Sequence, residues 1–486
     1  MNSKPLTLAI IGGGAAGLMA AATICEKNPD THVLLIDKNV ALGQKIRLTG
    51  GGRCNLTTAI ADPRDVLAHY PRGSRFLRFA MHEFSPQKAY EWFESHGLPL
   101  KTEERFRVLP ESDSAHDVVG VFEKIFEAHP ETVRVLLGHS VKKIEKTKKG
   151  FSIEFEKNLP ILVDRVLLTT GGKVQPGGNP TIDGYTLSAS LGHTITPLAP
   201  GLQALCLEEP WVRDLAGLAF PKARLTLTTN SQNNSEPTLS SPADSVAAFA
   251  SATLTPKNQN GLNKPKNEAK TLPGQSFSSA LRCAEKGCGG AHSAGASCVG
   301  PFLFTHEGVS GPAVFALSSQ AAYEDFSAQN PASLCIDFFP DENFEQLSSR
   351  LKSALAEHPH QTLKNTLRLF GLRTFKEVLL WVLGISGDKR NDQVSKKEIL
   401  RLVEMLKRTP CQAIGRKSGE EIVTAGGVAL DEVDSKTMAS QKCPGLFLAG
   451  ELLDVDAETG GFNLQAAWAT GKISGENLYK QDPSAK

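Results

Sequence analysis

The first forty residues set the pattern. Leu6-Thr7-Leu8-Ala9-Ile10-Ile11 is a short, wholly apolar run that ends at Gly12, Gly13, Gly14 and Gly17, and an alanine-rich run from Leu18 to Ile24 follows. This order predicts a strand over 6–11, a helix from about Ala15 to Lys27, and a second strand over His32–Asp37. Strands that are apolar on both faces belong in a parallel sheet covered on both sides. The uncharged stretch Leu6–Ile24, with Lys4 before it, is long enough to imitate a signal peptide or a membrane span. Glycines at its centre fit a buried strand, turn and helix better. No second apolar run reaches membrane length.

Farther along, Ser85 and Pro86 open a helical pattern that stops at Gly97, and 117–129 reads as another helix. Residues 133–168 alternate as strands: Val133–Leu137, Val141–Lys146, Phe151–Phe155 and Ile161–Thr169. After Pro197 the character changes to a β-rich unit, with strands expected at Leu202–Leu207, Ala223–Thr229, from Phe302, and at Leu334–Phe339. Residues 230–298 interrupt it. They are rich in Ser, Asn, Ala, Pro, Gly and Thr, too poor in large apolar side chains to offset chain entropy, and are expected to be a disordered insertion. Residues 341–408 are helical (Phe344–Leu355, Leu363–Leu369, Phe375–Leu383, Lys396–Lys407), and from Cys411 strand and glycine signals return and lead to a terminal helix, Gln465–Tyr479.

Composition narrows the class. The chain has 486 residues, 40% hydrophobic and 22% charged, which excludes a wholly disordered chain, a coiled coil and a collagen-like rod. Lys+Arg is 53 against 52 for Asp+Glu, so no global basic field draws the protein to nucleic acid. A mean hydropathy of −0.19 argues against a multi-span membrane protein. The 9 cysteines are scattered, not arranged as a disulfide framework, and a reducing cytoplasm is the expected location. Cys283, Cys288, His292 and Cys298 have a spacing too loose for a zinc site, and no metal is expected.

The glycines carry the first chemistry. Gly12-x-Gly14-x-x-Gly17 follows an apolar strand and opens a helix, and Asp37 ends the next strand 20 residues after Gly17. The first glycine allows the tight turn, the second lets backbone approach a pyrophosphate, and the third lets helix and strand pack closely. The helix N-terminus presents unpaired N–H groups to phosphate, and an acid at the end of the second strand accepts hydrogen bonds from a ribose. Two more apolar strands end in glycine: Leu167–Gly172 in Thr-Thr-Gly-Gly, and Gly445–Glu451 in Ala-Gly-Glu. They resemble the two-dinucleotide-binding-domain flavoproteins and point to FAD over NAD. No second GxGxxG sits between strand and helix, so the electron donor, with NADH or NADPH the candidates, has no visible domain of its own.

Three longer stretches sharpen the resemblance. Gly43-Gln44-Lys45-Ile46-Arg47-Leu48-Thr49-Gly50-Gly51-Gly52-Arg53-Cys54-Asn55-Leu56-Thr57, Leu303–Pro312 with its Phe-Thr-His-Glu-Gly core, and Thr424–Val428 followed by Ala449–Asp456 and Thr459–Gln465 are similar to the motifs of the BaiN/RdsA-like (YhiN-type) flavoprotein family. They run in family order from residue 6 to about 478. Two departures stand out: the long insertion at 230–298, and Thr169 where the family usually has Ala. The resemblance implies an α/β fold: a Rossmann-like FAD-binding domain of the two-dinucleotide-binding-domain type, with inserted β-rich and helical regions. The expected division is 1–196 and 411–486 for the FAD-binding domain, 197–340 for the β-rich insert and 341–410 for the helical one. It also implies a cytoplasmic FAD-dependent oxidoreductase that reduces a C=C bond, with ribosomal RNA uridine or a small enone-like metabolite as substrate. A non-catalytic flavin-bound assembly factor is the contrasting reading.

The residues expected to hold FAD are Gly12, Gly14, Ala15, Ala16, Gly17, Asp37, Lys38, Lys45, Thr49, Gly51, Gly52, Arg53, Asn55, Gly171, Gly450, Glu451, Gly461, Phe462 and Asn463. The glycine run at 50–52 lets backbone lie flat against a ring or phosphate, and the helix entrance after Gly461 would favour negative charge on a reduced flavin. Cys54 is a candidate proton donor, with a small buried hydrophobe as the alternative. His306, beside Glu307, is the rival donor, with a loop-stabilising hydrogen bond as its alternative. Basic clusters lie at Arg72, Arg75 and Arg78, at 142–149, and at Lys389, Arg390, Lys396, Lys397, Arg401, Lys407 and Arg408. The last would suit RNA, unless it is simply a solvated face.

Overall fold

The structure is a computed structural model that describes residues 6–173, 182–229, 296–419 and 422–480. They fall into two compact units, one of residues 1–203, 318–323 and 417–486, the other of 204–317 and 324–416.

The first unit is built on a five-stranded parallel sheet in the order Leu446–Leu448, Arg165–Leu168, Thr7–Ile11, His32–Asp37, Val133–Leu137. Its strands are apolar because both faces are covered: Leu8, Ala9, Ile10, Leu167 and Leu168 are wholly buried. The helix Ala15–Lys27 lies on one face and packs against the terminal helix Phe462–Leu478. Glycine makes that contact close: a Cβ at Gly471 would stand 2.4 Å from the Ala16 carbonyl oxygen, and one at Gly475 2.7 Å from that of Ala20. Trp468 is fully buried, and its indole N–H donates to the Leu56 carbonyl at 3.0 Å, so a large apolar side chain enters the core without an orphaned donor. Two small antiparallel sheets flank this core, Val141–Thr147 with Gly150–Phe155 and Ile161–Val163, and Thr57–Thr58 with Arg107–Pro110 and Leu100–Glu103.

The second unit holds a closed six-stranded barrel. Its order is Leu205–Leu207, Gly308–Ser310, Ala296–Phe304, Ala219–Thr228, Ala332–Asp337, Thr409–Arg416, and back to the first strand. Phe220, Phe302, Phe304, Phe338 and Phe375 are buried and pack ring against ring in this unit. The helices Phe344–Glu357, Leu363–Arg368, Phe375–Leu383 and Lys396–Lys407 belong to the same unit. Two of them begin with capping boxes, Asn343 with Gln346 and Ser395 with Glu398.

Several boundaries differ from the sequence expectation, each for a local reason. The run expected as one strand over 161–169 is two, broken at Asp164, whose carboxylate accepts the Thr7 N–H at 2.7 Å. The strand expected from Leu202 starts at Leu205, after a left-handed Leu202 with φ 56°. The terminal helix starts at Phe462, because left-handed Gly461 (φ 87°) already serves as its N-cap. Ala296–Cys298, expected inside the disordered insertion, pairs with 225–227 as a barrel strand, where backbone register supplies the hydrogen bonds whatever the composition. The rest of that insertion, with Cys283, Cys288 and His292, lies outside the described residues. The expected boundary at 411 falls inside the barrel strand Thr409–Arg416, and the helical stretch shares one unit with the barrel. Among the described residues no helix is long and apolar enough to cross a membrane.

Candidate functional site

The first unit contains a cavity of about 580 Å³, within the range of ligand sites of roughly 300–1,000 Å³. It runs along the C-terminal ends of the parallel strands. One end is lined by Asp37, Lys38, Asn39, His139 and Ser140, the other by Leu48–Gly51, Asn55 and Glu458–Gly461, with the Gly12–Ala16 turn, Thr169–Gly172, Gly450 and Glu451 between.

The three glycines of the fingerprint play distinct parts. Gly12 is left-handed (φ 111°), and a Cβ there would stand 2.3 Å from the Thr169 carbonyl oxygen. A Cβ at Gly17 would stand 2.0 Å from the Gly12 oxygen. Both serve packing. Around Gly14, by contrast, a Cβ would meet nothing within 4 Å, so its bare backbone faces open space at the start of the helix. Asp37 shapes the turn: its two carboxylate oxygens accept the Gly13 N–H at 2.7 Å and the Asn39 N–H at 2.8 Å.

Charged side chains meet across the cavity. Lys45 Nζ lies 2.6 Å from Glu451 Oε2, and the Thr424 N–H donates to Glu451 Oε1 at 3.1 Å. Lys38 pairs with Asp183 at 2.8 Å. Asn463 turns inward on its own loop, accepting the Ala457 N–H at 2.9 Å and donating to the Ala457 carbonyl at 2.8 Å. Two buried oxygens of lining residues, Asn55 Oδ1 and Thr170 Oγ1, have no hydrogen-bond partner among the described residues. Orphaned polar atoms of this kind await a ligand or water. The glycine approach, the long cavity and these two oxygens fit a dinucleotide, and FAD is a group of that shape and polarity.

Of the residues expected to hold the cofactor, Gly12, Gly14, Ala15, Ala16, Asp37, Lys38, Lys45, Thr49, Gly51, Asn55, Gly171, Gly450, Glu451, Gly461 and Asn463 line this cavity. Gly17, Gly52, Arg53 and Phe462 are not among the lining residues. Gly17 is taken up by helix packing. Arg53 is drawn away by acids, with contacts at 2.5 Å to Glu103 and 2.6 Å to Asp113. Phe462 is buried against His69. The two expected proton donors are elsewhere. Cys54 is wholly buried and does not line the cavity, and burial pushes its thiol up to about 12 despite hydrogen bonding to Thr49. His306 is an exposed residue of the second unit, in the turn between Ala296–Phe304 and Gly308–Ser310. Asp183, His139 and Glu458 line the cavity without any motif to announce them.

The third basic cluster is largely spent inside its own unit. Lys389 pairs with Glu398, Arg390 with Asp392, Lys407 with Asp337 and Arg408 with Glu404, and Arg401 donates to the Leu383 carbonyl. Among the described residues no cluster of three or more His, Cys, Asp or Glu side chains is arranged to hold a metal ion.

A family model described as an HI0933-like protein Rossmann domain matches residues 6–477. The chain is 26% identical over 475 residues to the 3-dehydro-bile acid delta(4,6)-reductase of Clostridium scindens, covering 96% of this chain and 98% of that one. It is 27% identical over 475 residues to the ribosomal RNA dihydrouridine synthase of Escherichia coli, covering 96% and 97%. Among solved structures, 3-ketosteroid delta1-dehydrogenase from Sterolibacterium denitrificans matches with a TM-score of 0.43 and 12% identity, over 98% of this chain and 100% of that one.

Proposed function

The chain belongs to the HI0933-like family, whose fold is a Rossmann-type FAD-binding domain, and on that premise we propose that it is an FAD-dependent reductase of a carbonyl-conjugated C=C bond. The observation that carries this is the cavity. Its glycine turn, its paired charges and its two orphaned oxygens, Asn55 Oδ1 and Thr170 Oγ1, suit FAD. The lining residues named above would hold it: Gly14 and the helix start at the phosphates, Asp37 at a ribose, and the 49–51 loop with Gly461 at the ring. The bound flavin would supply hydride chemistry, while the protein binds, orients and tunes it.

Two relatives that match over nearly full length are named as a 3-dehydro-bile acid delta(4,6)-reductase and a ribosomal RNA dihydrouridine synthase. Both names imply one chemical task, because each target bond is conjugated to a carbonyl that accepts electron density as hydride arrives. We assign this chain that shared class. RNA uridine remains the first substrate to try, with a small enone as the second. Of the third cluster, Lys396 and Lys397 remain exposed, while Lys389, Arg390, Lys407 and Arg408 face acids. NADPH and NADH are the donors to try.

The test is single-turnover. FAD-loaded protein is reduced anaerobically and mixed with an unmodified ribosomal RNA transcript or with a steroid enone. A product heavier by two hydrogens, formed as the flavin reoxidises, is expected from one of the two. Reduced flavin that persists with both would overturn the proposal.

A further inference from the structure

The titratable groups of the cavity differ in their freedom to exchange a proton. Asp37 is tied to two backbone N–H groups, Lys38 to Asp183, and Lys45 to Glu451. His139 lies at the Asp37 end, with Nδ1 2.7 Å from the Leu137 carbonyl. Glu458 is different. It lines the cavity at the end formed by Thr459, Gly460 and Gly461, and its Oε2 is 2.9 Å from His69 Nδ1. At that distance a proton can pass directly between the imidazole and the carboxyl group.

The pair is held from three sides. The Glu458 N–H donates to the His69 carbonyl at 3.0 Å. The His69 ring stacks on Phe462, centroids 4.3 Å apart and planes 14° from parallel. Phe462 is in turn fixed by the Tyr70 hydroxyl, which donates to its carbonyl at 2.6 Å. Other ionisable groups on these segments are engaged or suppressed. Arg72 binds Asp456 and Ser319. Burial raises the Tyr70 hydroxyl well above its ordinary range, and it raises Asp454, which Thr196 holds. His69 keeps 36% of its side chain exposed, enough to be recharged from solvent.

We propose that Glu458 is the catalytic acid of this cavity and His69 the positioning residue that reloads it. This rests on the reduction proposed above. Bound FAD, when reduced, would supply a hydride to one carbon of the substrate's C=C bond, whose π pair would then rest on the neighbouring carbon and the conjugated carbonyl. The Glu458 O–H bond breaks as its proton passes to that neighbouring carbon. The carboxylate then takes the Nδ1 proton of the His69 imidazolium, and the ring regains a proton from water. The substrate gains one hydride and one proton, and the flavin is oxidised by two electrons.

The test needs no substrate. FAD-loaded wild type, Glu458→Gln, Glu458→Asp and His69→Asn are compared by spectroelectrochemistry from about pH 5 to 9, the range in which an imidazole pair titrates. The flavin midpoint potential of the wild type is expected to change slope with pH within that range. Glu458→Gln and His69→Asn should lose that break, and Glu458→Asp should keep it at a shifted pH. An identical break in wild type and Glu458→Gln, at equal FAD content, would overturn the proposal and leave the flavoprotein reading intact. A wild type that holds no FAD would overturn both, and the FAD content itself tells the two failures apart.

Discussion

Lys45 and Glu451 are 406 positions apart in the chain and 2.6 Å apart in space. One stands in the short helix Gln44–Leu48, the other in the turn that follows the edge strand Leu446–Leu448. Their ion pair joins the two ends of the chain across the cavity. Glu451 keeps only 17% of its side chain exposed and Lys45 30%, so neither charge is freely solvated. Removing the Glu451 charge takes a close, partly buried counter-charge from Lys45, at a cost of about 1–3 kcal/mol. Glu451→Gln is therefore expected to lower the thermal midpoint and to weaken FAD binding about tenfold or more, since 1.4 kcal/mol is a factor of ten. Calorimetry of the unliganded protein and FAD fluorescence titration check both. Unchanged FAD affinity would remove Glu451 from the site.

The glycines separate packing from binding. Gly17→Ala would drive a Cβ to 2.0 Å from the Gly12 carbonyl oxygen and should destabilise the protein by at least about 1–3 kcal/mol. Gly14→Ala meets nothing in the protein, and its φ of −86° suits any residue. Its stability without ligand should match the wild type, while FAD affinity falls because a methyl now stands where phosphate must approach. Comparing denaturation midpoints with FAD titrations distinguishes the two. Equal loss of affinity in both, or loss of stability at Gly14, would contradict these assignments.

Cys54 is expected to be structural. Its thiol is wholly buried, pushed up to about 12 by desolvation, and its backbone is left-handed with φ 59°. Cys54→Ala should retain flavin binding and reduction while losing about 1–2 kcal/mol of stability, the cost of a small cavity. In the native protein at neutral pH this thiol should not react with a disulfide reagent until denaturant is added. Loss of flavin reoxidation in Cys54→Ala, with FAD content intact, would return the cysteine to a chemical role.

His193 gives the fold a dependence on pH. Its side chain is wholly buried, with Nδ1 3.1 Å from Glu432 Oε2 and Nε2 2.7 Å from Ser440 Oγ. Burial lowers its pKa below the ordinary imidazole value, and Glu432 opposes that only in part. The folded state therefore favours the neutral ring. Its contribution is fully present above the unfolded value and is lost as pH falls below about 6.5, while the unfolded chain binds a proton that the folded chain refuses. The thermal midpoint should drop as pH falls from about 7 toward 5, and His193→Asn should flatten that part of the profile. Glu432, also held below its ordinary value although burial works against this, contributes only at more acid pH. A His193→Asn profile identical to wild type would contradict the assignment.

The legible parts of the sequence were those in which one physical requirement selects one residue type. An apolar strand between two covered faces, glycine where a Cβ would strike a carbonyl, and an acid at the end of the second strand all announce themselves within about forty residues. That apolar strands at 167–172 and 445–451 end in glycine was legible, but their order beside Thr7–Ile11 in the sheet was not. The site's pairings were not legible. Nothing local to Arg53 tells that Glu103 and Asp113 will capture it, and nothing near His69 points to Glu458, 389 positions away. Closure of the β-rich unit into a barrel depends on pairing Leu205–Leu207 with Thr409–Arg416, a contact across two hundred residues that no periodicity records.

On the proposed function, the cavity holds FAD in a redox-active form. The most direct measurement is the anaerobic visible spectrum of the purified protein, recorded as NADPH and then NADH is added, with the flavin released by denaturation and counted. One FAD per chain, with bands that bleach on reduction, is the predicted result. A protein with no flavin bands as purified and none after incubation with FAD would contradict it.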